Sequence, residues 1–402
     1  MNKQTNTPEL RFPEFDGEWE KKKLGEVVNY KNGGSFESLV KNHGVYKLIT
    51  LKSVNTEGKL CNSGKYIDDK CVETLCNDTL VMILSEQAPG LVGMTAIIPN
   101  NNEYVLNQRV AALVPKQFID SQFLSKLINR NQKYFSVRSA GTKVKNISKG
   151  HVENFNFLSP DYTEQQKIGE FFSKLDQQIE LEEKKLELLE QQKKGYMQKL
   201  FSQDLRFKDE NGNEYPNWEE KELQQIIEVR DGTHESPKPT DEGYLLVTSK
   251  NLKNNKLDFK ESYNISKEDY ESINKRSKVE IGDILFGMIG TIGNPILLEE
   301  EGFAIKNVAL LKTSNLPEKY YILNFLKSIA IAKQFHKMNA GGTQKFISLG
   351  TIRDLKINIP SLEEAIKIGN LLKKIDELIK NHSKKIDLLK QRKQGFLQKM
   401  FV

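Results

Sequence analysis

The sequence predicts an α+β protein made of two α/β globules and two long helices. Three observations lead to this prediction: a duplication with an offset of 200 residues, apolar positions that alternate in spacings of four and three in both copies, and short strand-like runs in the segments between them. The 402 residues suffice for two or three domains with buried cores.

The duplication is clearest when residues 160–201 are aligned with residues 360–401. Of the 42 aligned pairs, 18 are identical, whereas chance gives about two or three. Fainter repeats link Leu10-Arg11-Phe12 to Leu205-Arg206-Phe207, the Tyr46–Lys52 segment to the Tyr244–Lys250 segment, and Ile147-Ser148 to Ile347-Ser348. Two copies are too few for a solenoid, so the chain is predicted to be an internal pseudo-dimer.

Each matched segment is predicted to be a long helix that begins just after Pro160 or Pro360. The spacing of its apolar residues is typical of a coiled-coil seam. The predicted seam residues are Ile168, Phe172, Leu175, Ile179, Leu186, Leu189, Tyr196 and Leu200, and in the second copy Ile368, Leu372, Ile375, Ile379, Ile386, Leu389, Phe396 and Met400. Polar residues interrupt the seam at Glu182/His382 and at Lys193/Lys393. The alternative is that each helix packs only on its own globule, but a narrow seam over four or more heptads favours a partner helix.

The repeat divides the sequence into four segments, with globules at 1–159 and 203–359 and helices at 160–202 and 360–402. Strand-like runs in the globules are Tyr46–Leu51, Thr79–Leu84, Met94–Ile98, Val110–Val114, Tyr244–Thr248, Ile284–Met288 and Ala304–Lys312. Each globule also has a helix-like stretch, Ser121–Tyr134 and Glu318–Met338.

Basic residues are concentrated at the same place in both copies. The chain carries a net charge of +6, but its distribution is more informative than its total. Residues 121–152 contain seven basic side chains and residues 319–353 contain six, and neither stretch contains an acid. This pattern is expected of phosphate contacts, with a solvated helix face as the alternative. The candidate DNA-binding residues are Lys126, Arg130, Lys133, Arg138, Thr142, Lys143, Lys145, Lys149, Lys333, Lys337, Thr343, Gln344 and Lys345.

Glycine-containing loops follow both basic stretches, at Gly141-Thr142 and at Gly341-Gly342-Thr343. Their backbone N–H groups are placed to approach a phosphate or a groove. Gln344 has the amide that reads adenine through two hydrogen bonds, and lysine or arginine reads guanine. Joint replacement of Lys143, Lys145 and Lys149 is therefore expected to weaken DNA binding broadly and to flatten its salt dependence.

Motifs for catalysis and metal binding are missing from the sequence. It contains no P-loop, no HExxH, no GxSxG and no Asn-Pro-Pro-aromatic box, and the glycine-rich segment at Gly287–Gly293 is predicted to be a turn. Cys61, Cys71 and Cys76 lack metal-ligand spacing. The polar first residues, the odd cysteine count and the lack of a long apolar run predict a cytoplasmic protein without disulfides.

The order of these short motifs resembles the DNA-specificity subunit of type I restriction–modification enzymes. The resemblance rests on the Leu-Arg-Phe-Pro-x-Phe opening with Trp19 and its echo at Leu205–Trp218, on the Gly-Thr and Ile-Ser endings of both globules, and on the two proline-led helices. It implies two target-recognition domains separated by two conserved helices that form an antiparallel coiled coil. Because recognition domains diverge strongly in this family, it transfers no base-reading residue.

The resemblance further implies a non-catalytic chain that recognises double-stranded DNA. Partner modification subunits, two of them, would carry S-adenosylmethionine, and restriction subunits would use ATP and Mg²⁺, so no cofactor is expected on this chain and no membrane partner. Since the two globules diverge, each is expected to read a different half of a split, asymmetric site, with the helices setting the gap. The alternatives are a coiled-coil scaffold that binds only proteins, which has no need of two acid-free basic stretches, and an enzyme, which needs a carboxylate cluster that the sequence does not reveal.

Overall fold

The computed structural model of this protein describes residues 6–68, 72–86, 90–141, 144–253, 255–290, 292–338 and 346–402. The chain divides into two units, of which unit 1 contains Met1–Glu183 with Lys384–Val402, and unit 2 contains Lys184–Ser383. Each unit therefore combines one globule with part of each long helix. The four consecutive segments predicted from the repeat divide the chain differently. That division remains a prediction.

The globule of unit 1 contains two main sheets and two short strand pairs. Its strands are β1 (Glu20–Lys23), β2 (Val28–Asn32), β3 (Tyr46–Ile49), β4 (Tyr66–Ile67), β5 (Leu80–Ile83), β6 (Ser85–Glu86), β7 (Thr95–Ile97), β8 (Tyr104–Leu106), β9 (Val110–Pro115), β10 (Lys145–Asn146) and β11 (Asn156–Ser159). An antiparallel sheet has the order β2-β9-β5-β7, and a second sheet has the order β4-β3-β8, in which β3 and β8 are parallel. The strands β1 and β11 pair with each other, as do β6 and β10.

The central strand β5 explains how unit 1 is layered. Its helices are α1 (Leu24–Val27), α2 (Ser121–Arg130), α3 (Gln132–Arg138), α4 (Lys149–Glu153) and α5 (Tyr162–Phe201), with a 3-10 helix at Glu37–Leu39. Leu80 and Met82 face a core cluster that includes Phe123 of α2, whereas Val81 and Ile83 face the cluster of the smaller sheet. Because both faces are covered, all four residues of β5 are apolar and buried.

Unit 2 repeats this topology, although its sequence is hardly similar. Its strands are β12 (Glu219–Glu222), β13 (Val229–Asp231), β14 (Tyr244–Thr248), β15 (Leu252–Lys253), β16 (Lys256–Leu257), β17 (Tyr263–Ile265), β18 (Ile284–Gly287), β19 (Gly293–Leu297), β20 (Ala304–Lys306), β21 (Val308–Leu311) and β22 (Lys356–Ile359). The sheet β13-β21-β18-β19 matches β2-β9-β5-β7, and β17-β14-β20 matches β4-β3-β8. The pairing of β12 with β22 matches that of β1 with β11.

The helices of unit 2 also cover the central strand of its larger sheet. They are α6 (Leu223–Ile226), α7 (Lys267–Ser277), α8 (Lys319–Leu326), α9 (Ile329–Met338), α10 (Leu349–Arg353) and α11 (Leu362–Lys399), with 3-10 helices at Ser249–Asn251 and Phe259–Glu261. Phe286 of β18 belongs to the cluster that contains Tyr321 of α8, whereas Leu285 packs with Val247 on the other face. The two units thus bury alternate residues of the equivalent strand in the same way.

Within unit 1, the first part of α5 packs antiparallel to the last part of α11. The ammonium of Lys393 lies 2.6 Å from a carboxylate oxygen of Asp176, and Lys385 lies 2.8 Å from Glu182. The position of the partner falls along α11 as the position on α5 rises, which identifies the antiparallel direction. Glu182, a predicted polar interruption of the seam, is only 4% exposed and is held by this ion pair.

Unit 2 contains the matching part of the antiparallel coiled coil. Lys193 of α5 donates to both carboxylate oxygens of Asp376 on α11, at 2.7 and 2.8 Å. Under the offset of 200, this is the same ion pair as that between Asp176 and Lys393, with the two helices exchanged. The lysine interruptions of the seam are therefore ion-paired positions in both units.

The seam differs from its prediction at Tyr196, which is 40% exposed. Its neighbour Met197 packs instead against the core of unit 2, where Phe201 contacts Phe325 of α8 edge-to-face. This end of α5 packs on a globule as well as on α11, so its buried face is rotated away from a pure coiled-coil seam.

The duplicated Leu-Arg-Phe motif attaches the start of each globule to a helix. Arg11 donates from Nε and Nη2 to the two carboxylate oxygens of Glu164, in the first turn of α5, at 2.7 and 2.6 Å. Arg206 makes the same bidentate contact with Glu364 of α11 at 3.1 and 2.7 Å. The repeat of the motif in sequence therefore reflects a repeated buried ion pair.

Most predicted elements are present, with two informative differences. The run predicted over Ala304–Lys312 consists of two strands, because Asn307 adopts a φ of 54° and ends β20. Both helix-like stretches are pairs of helices, and the break in unit 1 lies at Asn131. The turn predicted at Gly287–Gly293 connects β18 to β19, with residue 291 outside the described residues. No helix in the described part of the chain is long and apolar enough to span a membrane.

Candidate nucleic-acid interface

The basic stretch of unit 1 folds as α2, α3 and α4. Phe123, Leu124 and Ile128 on one face of α2 are fully buried, so the cations of this helix lie towards its other side. Tyr134 of α3 donates its hydroxyl proton to the carbonyl oxygen of His151 on α4 at 2.9 Å, and the rings of Tyr134 and Phe135 pack on Phe155. These contacts hold α3 and α4 side by side.

Two of the candidate cations contact the coiled coil of unit 1. Lys126 forms an ion pair with Asp176, and its side chain is 13% exposed. Burial lowers the pKa of Lys126 below its ordinary value, although the charge of Asp176 opposes this shift. Burial would raise the pKa of Asp176, but the ammonium groups of Lys126 and Lys393 outweigh it and lower the pKa. Arg130 donates to the carbonyl oxygens of Gln398 and Val402 at 3.4 and 3.2 Å. We therefore assign these two residues to packing and leave them out of the candidate surface.

Four other candidates, Lys133, Arg138, Lys145 and Lys149, have exposed side chains in unit 1. The guanidinium of Arg138 lies 3.8 Å from the centre of the Tyr134 ring, and the ammonium of Lys149 lies 5.2 Å from the Tyr30 ring. Stacking on an aromatic ring orients a cation without neutralising it. Lys149 also lies 3.5 Å from a carboxylate oxygen of Glu153, but both side chains of this pair remain solvated, at 53% and 36% exposed. The four exposed cations are thus accessible to an anionic ligand.

The loop between α3 and α4 begins at a position that requires glycine. The backbones of Ala140 and Asn146, on either side of this loop, exchange two hydrogen bonds of 2.9 Å. Gly141 has a φ of 134°, and a Cβ at this position would lie 1.9 Å from the carbonyl oxygen of Val144. The candidates Thr142 and Lys143 lie in this loop but outside the described residues.

The Ile-Ser pair that follows the loop has the same structural role in both units. Ile147 and Ile347 are 5% and 4% exposed, and each packs in the core cluster of its unit. The hydroxyl of Ser148 accepts from the backbone N–H of His151 at the start of α4, and that of Ser348 accepts from Thr351 at the start of α10. The repeated motif therefore fixes where the loop ends and the short helix begins.

In unit 2, Lys333 and Lys337 are exposed on α9. The remaining candidates, Thr343, Gln344 and Lys345, lie outside the described residues. The structure thus describes eight of the thirteen candidates, groups Lys133, Arg138, Lys145 and Lys149 on the α3–α4 side of unit 1, and places two on α9 of unit 2.

A pair of exposed lysines was not among the sequence-based candidates. Lys52 and Lys250 occupy equivalent turns, in which the backbone N–H of each lysine donates to the threonine hydroxyl two residues earlier at 3.3 Å. In unit 2 the residue before Lys250 is Ser249, whose hydroxyl accepts from the backbone N–H of Met288 and of Ile289 at 3.3 and 3.4 Å. The repeated Thr-x-Lys sequence was the signal that could have identified these lysines.

Among the residues that the structure describes, metal ligands and thiol pairs do not gather at this surface. Within the described part of the chain, no group of three or more His, Cys, Asp or Glu side chains is arranged to hold a metal ion. Cys61 and Cys76 are free thiols, and Cys71 lies outside the described residues.

Comparison with known proteins relates this fold to a single family. The model of the type I restriction modification DNA specificity domain matches twice, over residues 16–191 and 215–391. The type I restriction enzyme MjaVIII specificity subunit of Methanocaldococcus jannaschii is 23% identical over 96% of this chain and 92% of its own length. The MjaIX specificity subunit of the same organism is 24% identical over 99% of this chain and 96% of its own length.

The solved structures show the same fold. The crystal structure of a type I restriction–modification system S subunit from M. genitalium has a TM-score of 0.67 and 18% identity, and covers 98% of this chain and 99% of its own. These comparisons confirm the predicted fold class, the predicted role in DNA sequence recognition and the predicted non-catalytic nature of the subunit. With both repeats matched, the chain belongs to the family of type I restriction modification DNA specificity domains.

Proposed function

We propose that this subunit reads a split, asymmetric double-stranded DNA site, one half with each unit, and directs partner methyltransferase and restriction subunits to it. The observation that carries the proposal is that the two units share one sheet topology but differ in their exposed side chains. A repeated frame with identical surfaces would favour a palindrome, whereas different surfaces favour two different half-sites.

In unit 1, the proposed DNA surface contains Arg138, Lys145 and Lys149, together with Lys133. Phosphate contacts position a protein on DNA without specifying sequence, and cations beside a glycine turn suit this task. In unit 2, Lys333, Lys337 and Lys250 have the corresponding role. The candidates Thr142, Lys143, Thr343, Gln344 and Lys345 remain part of the proposal on sequence grounds alone.

The coiled coil offers a surface for the partner subunits. In unit 1 it exposes Leu181 and Leu388, at 59% and 61%, and in unit 2 it exposes Leu188 and Leu378, at 59% and 49%. Exposed leucines on a helix pair favour additional helices as partners. Because each unit has such a pair, we propose two modification subunits per chain, which would carry S-adenosylmethionine, while restriction subunits use ATP and Mg²⁺.

The proposal is tested by mapping methylated adenines in DNA from a host that carries this chain and its partner subunits. We expect one motif with two different half-sites and a fixed gap between them. A palindromic motif would contradict the asymmetric reading. If no methylation motif depended on this chain, the proposed function itself would be wrong.

The DNA surface is tested separately with the triple variant Arg138→Ala, Lys145→Ala and Lys149→Ala. Each lost phosphate contact changes the slope of log K against log salt by about 0.9, so we expect a slope smaller by about three and weaker binding to all sequences. The control removes Lys41, Lys47 and Lys65, which are ion-paired with Asp68, Glu103 and Glu37 elsewhere in unit 1. Equal slopes for the two triple variants would contradict the assignment.

A further inference from the structure

Both units contain the same backbone contact just before the capping serine of their short helix. The N–H of Ile147 donates to the carbonyl oxygen of Leu84 at 2.9 Å, and the N–H of Ile347 donates to that of Met288 at 2.8 Å. The residues next to these bonds, Ser85 with Asn146 and Ile289 with Phe346, face each other as antiparallel partners. The two side-chain pairs therefore occupy equivalent positions in the fold that the two units share.

The chemistry of the pair differs completely between the units. In unit 1, Ser85 donates its hydroxyl proton to Oδ1 of Asn146 at 2.6 Å, and Asn146 is exposed. In unit 2, the pair is apolar, with Ile289 39% exposed and Phe346 45% exposed. Directly opposed residues of an antiparallel pair project to the same side, so these two side chains form one apolar surface.

Hydrogen bonds hold the backbone of Ile289 in place, and the space next to the apolar pair is open to a ligand. The hydroxyl of Ser249 accepts from the backbone N–H of Ile289 and donates to the carbonyl oxygen of Asn307 at 3.0 Å. The adjoining Gly290 has a φ of 73°, and no described atom lies within 4 Å of the position that a Cβ would take there. The next residue in the chain after Ser249 is Lys250, which is exposed and carries a positive charge.

We propose that Ile289 and Phe346 contact the 5-methyl group of a thymine in the half-site that unit 2 reads. This inference rests on the proposed function. Thymine is the base that presents a methyl group in the major groove, and apolar side chains, phenylalanine among them, recognise it. A neighbouring cation such as Lys250 suits the adjacent phosphate.

The same position explains why unit 1 reads a different base. Asn146 offers an amide with both a donor and an acceptor, and an amide recognises a base edge by hydrogen bonds rather than by a methyl contact. At equivalent positions of the shared fold, one unit thus has a hydrogen-bonding side chain and the other has an apolar pair. The asymmetry of the DNA site is therefore assigned to this pair of positions.

The test uses the complete complex with its modification subunits and duplexes that carry the mapped site. Each thymine of the site is replaced in turn by deoxyuridine, which keeps the pairing with adenine and removes only the methyl group. In the wild type, we expect one position in one half-site to lose roughly fourfold in affinity, the factor that burial of one methyl group gives. In the double variant Ile289→Ala and Phe346→Ala, deoxyuridine at that position is expected to cost nothing further.

Two controls separate recognition from folding. Ile281→Ala removes an apolar side chain that is 56% exposed elsewhere in unit 2, and Asn146→Ala alters the equivalent position in unit 1. Both should retain the deoxyuridine penalty at the thymine in question. Phe346→Leu, which keeps an apolar side chain, should also retain most of it, so a defect in folding is distinguished from loss of the contact.

The inference is overturned if no thymine of either half-site is sensitive to deoxyuridine, or if the double variant keeps the full penalty. These results differ from failure of the proposed function, in which the wild-type complex would show no sequence-specific site at all. Sensitivity in the half-site that Asn146→Ala alters would also overturn it, because the thymine would then belong to unit 1.

Discussion

At the residue scale, the bidentate pairs Arg11–Glu164 and Arg206–Glu364 show why a short motif recurs in both copies. The side chains of Glu164 and Glu364 are 1% and 0% exposed, so each carboxylate depends on its arginine. In unit 2, Trp218 also donates its indole proton to Glu364 at 3.0 Å. The motif fixes the start of a globule to the first turn of a helix.

Replacing Arg206 by methionine is therefore expected to be strongly destabilising. The variant leaves a buried carboxylate without its counter-charge, which typically costs about 3–5 kcal/mol in the free energy of unfolding. Adding Glu364→Gln should recover part of this loss, because the buried charge is then removed. The measurement is urea unfolding, with Arg230→Met as the control. Its ion pair with Glu228 is solvated, with the two side chains 34% and 59% exposed, and such pairs are worth about 1 kcal/mol or less. Equal losses for the two methionine variants would contradict this account.

Lys327 is expected to make the free energy of unfolding depend on pH. Burial and, to a lesser extent, the nearby ammonium of Lys193 lower its pKa to about 8, although the carboxylate of Asp376 opposes the shift. The unfolded chain keeps this proton up to about pH 10.5, so between the two values the unfolded state binds more protons. The free energy of unfolding should therefore rise with pH in this window.

We expect Lys327→Met to stabilise the protein by roughly 1–3 kcal/mol at pH 7, where the wild type carries a poorly solvated charge. The gain should shrink as the pH rises above 8, because the wild-type lysine then becomes neutral in the folded state. Thermal or urea unfolding at pH 7 to 10 measures the difference, with the exposed Lys333→Met as the control. A gain that did not change with pH would show that packing, rather than charge, is responsible.

At the element scale, the coiled coil is specified by ion pairs as well as by its apolar seam. Asp176 with Lys393 and Lys193 with Asp376 occupy equivalent levels in the two units, and each joins α5 to α11. Polar seam residues lower stability but select one register over others. Because the two pairs are related by the repeat, they select the antiparallel register in both units.

The ion pair between Lys193 and Asp376 is tested by comparing a variant in which one charge is reversed with a variant in which both charges are exchanged. Lys193→Asp brings two carboxylates together and is expected to destabilise unit 2 by about 1–2 kcal/mol. Adding Asp376→Lys should restore most of the loss, since the exchanged pair again has opposite charges. Lys194→Asp, at an exposed neighbouring position, is the control for the added negative charge. If the exchanged variant were as unstable as the single one, the pair would not select the register.

At the scale of the whole molecule, both long helices continue without a break from one unit into the other. Helix α5 covers Tyr162–Phe201 and α11 covers Leu362–Lys399, while the unit boundaries fall at Glu183 and Ser383. The hypothesis that helix length sets the gap between half-sites can therefore be tested at this boundary. An insertion in α5 alone would shift one of its ion pairs out of register.

We expect four residues inserted in both helices, after Glu183 and after Ser383, to preserve the ion pairs inside each unit. The insertion adds about 6 Å to each helix, so the gap in the methylated motif should lengthen by about one or two base pairs of about 3.4 Å. Both half-site sequences should stay the same. The same insertion in α5 alone is the control and should lower stability, with circular dichroism reporting helix content. An unchanged gap would show that helix length does not set the distance between the half-sites.

The fold could be predicted to a large extent because its signals are local and repeated. The heptad spacing, the helix-stopping prolines and the apolar runs of β5 and β18 are all present in short stretches of sequence. Strands such as β1, whose sequence is Glu-Lys-Lys-Lys, could not be predicted, because only their pairing with β11 makes them strands. The shared topology of the two globules was likewise hidden by their divergent residues.

The candidate site was predictable only as a region. The duplication, the helices, the basic stretches and the likeness to a family of DNA-specificity subunits could all be inferred from the residues alone. Three contacts became visible only in the fold: those of Lys126 and Arg130 with the coiled coil, the ion pair of Lys193, and the pairing of Ile289 with Phe346. The physical reason is that a charge or an apolar side chain acts through the atoms it touches, and these belong to residues that are distant in sequence and carry no periodic signal.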